Sequence, residues 1–267
     1  MENMKDYSVA IVGFGNVGKC MHGLFPNAII YDEPKNIGTR EEVNNCEYAF
    51  VCVPTPKAED GSCNTSIVDD VMSWLDPKEA IIIRSTVPVG YTEKKMRERL
   101  PFSGHLHNYR LVFQPEYYGE TVSHPFADPH NRNWITLGGE PHATRKVAEL
   151  YQKVFTSDII INQVDAPTAE LAKYMENAFY SVKVTFCNQF YDLADEFGVD
   201  YNELRETWLL DPRIGRSHTF VYPDDRGYGG SCLPKDTASI IHQGDRVGID
   251  LKLLKAAEEI NGGYHND

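Results

Sequence analysis

The chain has no apolar run near the ~20 residues that a membrane-spanning helix requires. Its first residues place Glu2 and Asp6 ahead of a short apolar run, unlike the basic start of a secretory signal. A surplus of Lys and Arg is also missing. There are 26 basic residues against 39 acidic ones, a formal net charge of -13, which argues against nucleic acid as a main partner and still permits a local site for one phosphate group. The cysteines, Cys20, Cys46, Cys52, Cys63, Cys187 and Cys232, show neither dense pairing nor a Cys-x-x-Cys spacing, so reduced thiols in a cytoplasmic protein are expected. No His-Glu-x-x-His pattern occurs, and His105 and His107 sit in a Gly/Asn-containing loop, so no metal site is expected. Low-complexity linkers and internal repeats are absent. What remains is an ordinary globular composition, 42% hydrophobic and 24% charged, over 267 residues, enough for one or two domains.

The first half alternates short apolar runs with longer amphipathic stretches. Ser8–Val12, Ala28–Tyr31, Tyr48–Val53, Ala80–Ile83 and Leu111–Phe113 read as buried strands, with Trp134–Leu137 as a further one. Thr65–Leu75 and Thr92–Leu100 suit crossover helices. Such alternation predicts a doubly wound parallel α/β sheet over residues 1–165. From about Pro167 the texture changes. Thr168–Phe197 lacks Gly and Pro, carries apolar residues at helical spacing and ends at Gly198, which predicts one long helix. Tyr201–Leu210, Lys235–Arg246 and Leu251–Asn261 read as further helices, with a Gly/Pro/Asp-rich loop over 211–234. Residues 166–267 are therefore expected to form an all-helical domain.

Gly13-Phe14-Gly15-Asn16-Val17-Gly18 follows a strand and opens a helix. In a Rossmann-type domain these glycines allow a tight turn, close approach to a pyrophosphate and close helix–strand packing. The helix N-terminus offers N–H groups and a positive dipole end to phosphates. Asp32, at the end of the second strand, can accept hydrogen bonds from ribose hydroxyls and repels a 2′-phosphate, which favours NAD over NADP. The same residues would also serve a turn and a cap that hold no ligand.

Gly227-Tyr228-Gly229-Gly230-Ser231-Cys232-Leu233-Pro234-Lys235-Asp236 is the second signal. Its glycines let the backbone wrap closely around a ligand. Cys232 precedes a helix start, with Lys235 nearby in sequence, and is placed to act as a nucleophile. A small buried cysteine in a glycine turn is the alternative on this loop alone. Lys173 and Asn177 lie four apart on the long helix and share a face, where they would hold a hydroxyl or an oxyanion; on chemistry alone Lys173 reads equally as a solvated helix lysine.

The loop resembles the active-site signature of the UDP-glucose/GDP-mannose dehydrogenase family. Other segments resemble family motifs in the same order: Val51-Cys52-Val53-Pro54-Thr55-Pro56, Ser85-Thr86-Val87-Pro88-Val89-Gly90, Gln114-Pro115-Glu116-Tyr117-Tyr118-Gly119-Glu120, Ala169–Asn177 and Asp211-Pro212-Arg213-Ile214-Gly215. The resemblance implies a four-electron oxidation of a sugar primary alcohol to an acid, with two NAD consumed and Cys232 carrying a thiohemiacetal and then a thioester. It implies oxyanion stabilisation by Lys173 and Asn177. Asp236 would order or activate water, and Glu116 and Thr86 would serve in acid/base work and water positioning. Val53, Pro54, Thr55, Ser85, Thr86 and Glu120 join the glycine loop and Asp32 around NAD. Tyr117, Tyr118, Lys173, Asn177, Arg213, Tyr228 and Gly229 are placed around the substrate, Arg213 in its own site or across a dimer interface.

Family members usually continue into a third domain that grips the nucleotide. Read as a short form that ends at Asp267, the chain is expected to bind nucleotide sugars weakly, the more so because Asp224 and Asp225 precede the thiol loop. Tyr117 and Tyr118 stand where the family has a Phe-Leu pair. Three readings stay open: an active dehydrogenase, an NAD-binding partner subunit without turnover, and a two-domain β-hydroxyacid dehydrogenase, a class that needs no thiol. Aromatic residues on several sides of the long helix, Tyr174, Phe179, Tyr180, Phe186, Phe190 and Tyr191, predict a homodimer formed through it.

Overall fold

A computed structural model describes residues 7–99, 110–118, 128–155 and 158–265. Strands β1 (Val9–Val12), β2 (Ile29–Tyr31), β3 (Tyr48–Val51), β4 (Ala80–Ile83), β5 (Leu111–Phe113), β6 (Trp134–Gly139) and β7 (Ile160–Val164) form one sheet in the order β2-β1-β3-β4-β5-β6-β7. The first five strands are parallel, as the alternating pattern predicts. β6 runs antiparallel to β5, and β7 is parallel to β6, so the doubly wound sheet is mostly parallel with one reversed pairing toward this edge. An apolar run predicts a strand and not its direction. The connection from β5 to β6 contains Pro115, Pro125 and Pro129, residues poorly suited to a crossover helix. β7 escapes a hydrophobicity reading because its pattern is largely exposed.

Helices α1 (Asn16–Leu24), α2 (Arg40–Asn44), α3 (Ser66–Trp74), α4 (Tyr91–Arg99) and α5 (Pro141–Gln152) accompany the sheet. Two apolar clusters cover its faces. One joins Val12, Val51, Ile83 and Phe113 to Val68, Met72 and Met96. The other joins Ile11, Phe50, Ile82 and Val112 to Met21, Val147 and Tyr151. Strand residues alternate between the clusters because successive side chains point to opposite faces. The chain leaves β1 for β2 on one side and returns to β3 on the other, which makes a crevice at the carboxyl ends of β1 and β3.

The remaining helices are α6 (Ala166–Glu196), α7 (Tyr201–Trp208), α8 (Leu233–Arg246) and α9 (Lys252–Tyr264). The chain divides into two compact units, Met1–Pro56 with Cys63–Lys173 and Lys57–Ser62 with Tyr174–Asp267. The division falls inside α6, whereas the sequence places it just before that helix. A helix boundary is marked by local capping residues and a unit boundary by distant packing, so the two need not coincide. Among the described residues no helix is long and apolar enough to cross a membrane.

Candidate active site

In the first unit, the glycine loop is set by backbone sterics. Gly13 has φ +92°, its N–H bonds to Tyr31 O at 2.8 Å, and a Cβ there would lie 2.6 Å from Cys52 O. A Cβ on Gly18 would lie 2.0 Å from Gly13 O, so only glycine lets α1 start this close to the turn. A Cβ on Gly15 would meet nothing within 4 Å. No side chain caps α1, and no acidic residue occupies its first turn, so the N–H groups of Asn16, Val17 and Gly18 face a space suited to a pyrophosphate.

Asp32 is buried. Its carboxylate accepts the Phe14 N–H at 2.7 Å and the Lys35 ammonium at 3.0 Å, and Lys35 also donates to Phe14 O at 2.7 Å. Burial raises the carboxyl pKa, but these donors outweigh it and hold the group below the usual carboxylate range. The anion therefore stands beside the loop where a ribose would lie. These residues fit NAD: an open phosphate cradle with an acidic group next to it.

The strand-end segments expected around the cofactor lie at neighbouring carboxyl ends. The Ser85 hydroxyl donates to Val53 O at 2.6 Å, tying the end of β4 to the end of β3. Thr55 is buried, Pro54 is exposed and Thr86 is half-buried. Glu170 of α6 fixes the turn into α4, accepting from Gly90 N at 2.6 Å, Thr92 N at 2.9 Å and the Thr92 hydroxyl at 2.6 Å. Burial still lifts its carboxyl to about 6. One family-like motif thus anchors another. Glu120 lies outside the described residues, as do His105 and His107.

Glu116 sits in a setting the sequence did not announce. It is buried, ion-paired with buried Arg84 and 3.8 Å from buried Arg132, and it accepts the Tyr118 N–H at 2.6 Å. The Arg132 guanidinium lies 5.5 Å from the Tyr117 ring centre, 5.0 Å from that of Tyr118 and 5.4 Å from that of Trp134. Two guanidinium groups thus stand beside one buried carboxylate. Lys173 is buried with its ammonium 5.0 Å from the Tyr117 ring centre.

In the second unit, Cys232 is the N-cap residue of α8 and the exposed one among the six cysteines. Cys52, by contrast, is buried, and burial pushes its thiol up to about 12. Asp236, one turn along α8, is buried, and its carboxylate accepts from Asn177 Nδ2 at 2.6 Å and from the Lys235 ammonium. Lys235, the near sequence neighbour of the thiol, pairs its charge with Asp236. A polar ladder continues along α6 and α8, with Tyr174 to Ser239 at 3.1 Å and Ser181 to Thr237 at 2.8 Å. Every rung is buried, so the two helices meet in one register.

Two residues assigned to the substrate have settings that their motif positions do not convey. The Tyr228 side chain is buried at 3% exposure, because the glycines around it fold it inward, whereas Gly229 is exposed. Arg213 is 87% exposed at its side chain and pairs with Asp211 two residues away, since a short acidic neighbour in the same turn captures the guanidinium. Sequence reasoning missed Arg84, Arg132, Asn188, Arg226 and Asn261. Asn177, Ser181, Thr185 and Asn188 recur at helical spacing on α6, a signal that would have found the ladder.

Comparison with known proteins gives two family matches. Residues 35–155 match the NAD-binding domain of the UDP-glucose/GDP-mannose dehydrogenase family, and residues 167–262 match its central domain. The glycine loop and Asp32 precede the first matched segment. A UDP-glucose 6-dehydrogenase of Pseudomonas aeruginosa is 32% identical over 231 residues, 83% of this chain and 49% of the relative. A putative UDP-glucose 6-dehydrogenase of Bacillus subtilis, YtcA, is 28% identical over 232 residues, 83% of this chain and 52% of the relative. The chain thus spans about half the length of these curated relatives. The structure of a UDP-glucose dehydrogenase from Pyrobaculum islandicum superposes with a TM-score of 0.80 over 98% of this chain and 70% of that one, at 24% identity, and so attests the fold. With the glycine loop, the ordered motifs and both domain matches in agreement, the chain belongs to the UDP-glucose/GDP-mannose dehydrogenase family and carries its NAD-binding domain.

Proposed function

We propose that the chain catalyses the NAD-dependent oxidation of a nucleotide-sugar primary alcohol to the corresponding acid through a covalent intermediate on Cys232. The observation that carries this reading is the exposed thiol at the N-cap of α8, backed one turn later by the buried Asp236 and its two donors. NAD, when bound, accepts a hydride at each of the two oxidation stages. The chain's own residues do the rest. The Asn16, Val17 and Gly18 N–H groups hold the pyrophosphate, and Asp32 takes the ribose hydroxyls.

Cys232 adds through sulfur to the aldehyde carbon and keeps it from escaping. After the second oxidation the same sulfur is the leaving group when water cleaves the thioester, and the thiol recovers its proton. Asp236 holds Asn177, and Lys173 and Asn177 take the oxyanion-stabilising role that their motif positions imply. Thr86 keeps the role that its own motif position implies. Glu116 acts as a fixed acceptor for water. The test is product stoichiometry with UDP-glucose: two NADH per acid formed, with Cys232→Ser blocking acid release while NAD still binds. One NADH per substrate would favour a β-hydroxyacid-type reaction. NAD binding without turnover would favour a partner subunit.

The partner we propose is a second copy of the chain. Tyr174, counted among the interface aromatics from sequence, is fully buried in the core. Met175, Phe179, Phe186, Phe190, Leu193 and Phe197 of and after α6 are 42–75% exposed and repeat at helical spacing, a stripe suited to a two-fold helix pair. Sedimentation should give a dimer at micromolar concentration, and a monomer would remove this proposal.

A further inference from the structure

Gly227–Cys232 is a glycine-rich loop, yet its course is fixed at one end by a side chain from the last helix. Asn261 of α9 is buried. Its Oδ1 accepts the Tyr228 N–H at 2.6 Å, and its Nδ2 donates to Tyr228 O at 2.9 Å. One amide side chain thus satisfies both backbone groups of one residue, as a neighbouring strand would. The fit is tight on the other side as well: Gly227 has φ +80°, and a Cβ there would lie 2.5 Å from Asn261 Oδ1. His265 Nε2 lies 3.2 Å from the same Tyr228 carbonyl.

The residue before this clamp is held by α6. Arg226 donates to Asn188 Oδ1 at 2.7 Å, to Asn188 O at 3.0 Å and to Asp192 at 2.7 Å. The Gly227 N–H reaches Asn188 Oδ1 at 3.2 Å. The Arg226 guanidinium is 4.6 Å from the Tyr191 ring centre and 4.8 Å from that of Tyr264 on α9.

Beyond Tyr228 the chain runs through Gly229, Gly230 and Ser231 to Cys232. At Cys232 helix α8 begins, the Cys232 carbonyl accepting the Asp236 N–H at 2.9 Å, and the Asp236 carboxylate is held by Asn177. The loop is therefore strung between two anchors. Glycines between them impose little conformation of their own, so the clamp on the Tyr228 backbone contributes to where the sulfur sits. Asparagine is a poor interior helix residue, and its place in α9 is accounted for by this contact.

We infer that Asn261 is a positioning residue for Cys232, acting through the backbone of Tyr228. The catalytic consequence rests on the proposed role of Cys232 as nucleophile, whereas the structural consequence does not. The test compares the intact chain with Asn261→Leu, Asn261→Asp and Gly227→Ala. Gly262→Ala is the control, because a Cβ on Gly262 meets nothing within 4 Å.

Hydrogen exchange at the Tyr228 amide should become about tenfold faster in Asn261→Leu, the effect of one net hydrogen bond lost. The rate of Cys232 alkylation by iodoacetamide, and its pH profile, should change with it. Asn261→Asp keeps the acceptor for the Tyr228 N–H and should fall between wild type and Asn261→Leu. Gly227→Ala should reproduce the change from the opposite side of the contact, and Gly262→Ala should match wild type.

With UDP-glucose as substrate, kcat should fall by on the order of a hundredfold while NAD affinity is retained, as for a displaced reacting group. A folded Asn261→Leu with unchanged exchange and unchanged alkylation would overturn the clamp. Altered exchange with full wild-type kcat would overturn the positioning role. If wild type itself shows no turnover, exchange and alkylation still decide the clamp, and the failure belongs to the proposed reaction.

Discussion

The two glycine loops of this molecule are built on opposite principles. The loop at Gly13–Gly18 is set by backbone against backbone: Gly13 against Cys52 O and Gly18 against Gly13 O. The loop at Gly227–Gly230 is set by side chains distant in sequence, Asn188 and Asn261, 39 and 33 residues from their partners. The first needs only glycine at the right spacing and is written locally. The second needs glycine together with two amides that the spacing does not reveal. The buried carboxylates differ in the same way. Glu116 faces two arginines, whereas Asp236 faces one lysine and one amide.

Substitutions that break the ion pairs should have the largest effect. Glu116→Gln leaves two buried guanidinium groups without their counter-ion and should cost about 3–5 kcal/mol, as when one partner of a buried pair is removed. Denaturant unfolding measures it, and a loss near zero would mean that the carboxylate is dispensable to the fold. Gly18→Ala comes next, at roughly 1–3 kcal/mol from overpacking, together with loss of NAD binding. Gly229→Ala, where a Cβ meets nothing within 4 Å, should be near neutral. Equal effects of the two alanines on unfolding would erase the distinction between the loops.

Glu170 provides a pH test confined to the first unit. Its folded pKa, about 6, lies above its ordinary value of 4.5, so the folded state binds the extra proton between these values. Its contribution to stability is full below about pH 4.5 and declines as pH rises through 6, by about 2 kcal/mol in all. Glu170→Gln should remove that slope from the stability profile, and a slope of the opposite sign would contradict the assignment. The smallest expected change is in cofactor choice. Asp32→Ala frees the Lys35 ammonium from its carboxylate and should shift preference toward NADP by about tenfold, the weight of one charge-assisted contact. Calorimetric titration of both cofactors reads the ratio.

The sequence made the first unit legible because strands, turns and helix starts there are encoded by neighbours. The strands from Val9 to Phe113, the turn at Gly13 and the acid at Asp32 all emerge from local pattern. The antiparallel β6 does not, because its direction depends on a long proline-containing connection. Cys232, Lys173 and Asn177 were legible through motif spacing. The partners that fix their surroundings were not. Arg84 reads as one basic residue after a strand, and only the tertiary fold brings Glu116 and Arg132 to it. The burial of the Tyr228 side chain and the exposure of Arg213 were not legible, because a motif gives position along the chain and not the direction of a side chain. Nearness in sequence to Cys232 likewise does not reveal that Lys235 pairs with Asp236.

In the proposed reaction Cys232 holds the sugar carbon from the aldehyde stage through the second oxidation. The most direct measurement is a single-turnover reaction of the purified chain with UDP-glucose and excess NAD, counting NADH and acid and weighing the protein by mass spectrometry after an acid quench. The expected result is two NADH per acid and a mass increase the size of the nucleotide sugar on the peptide containing Cys232, with both absent in Cys232→Ser. Two NADH per acid from Cys232→Ser at the wild-type rate, with no mass increase on either protein, would contradict it.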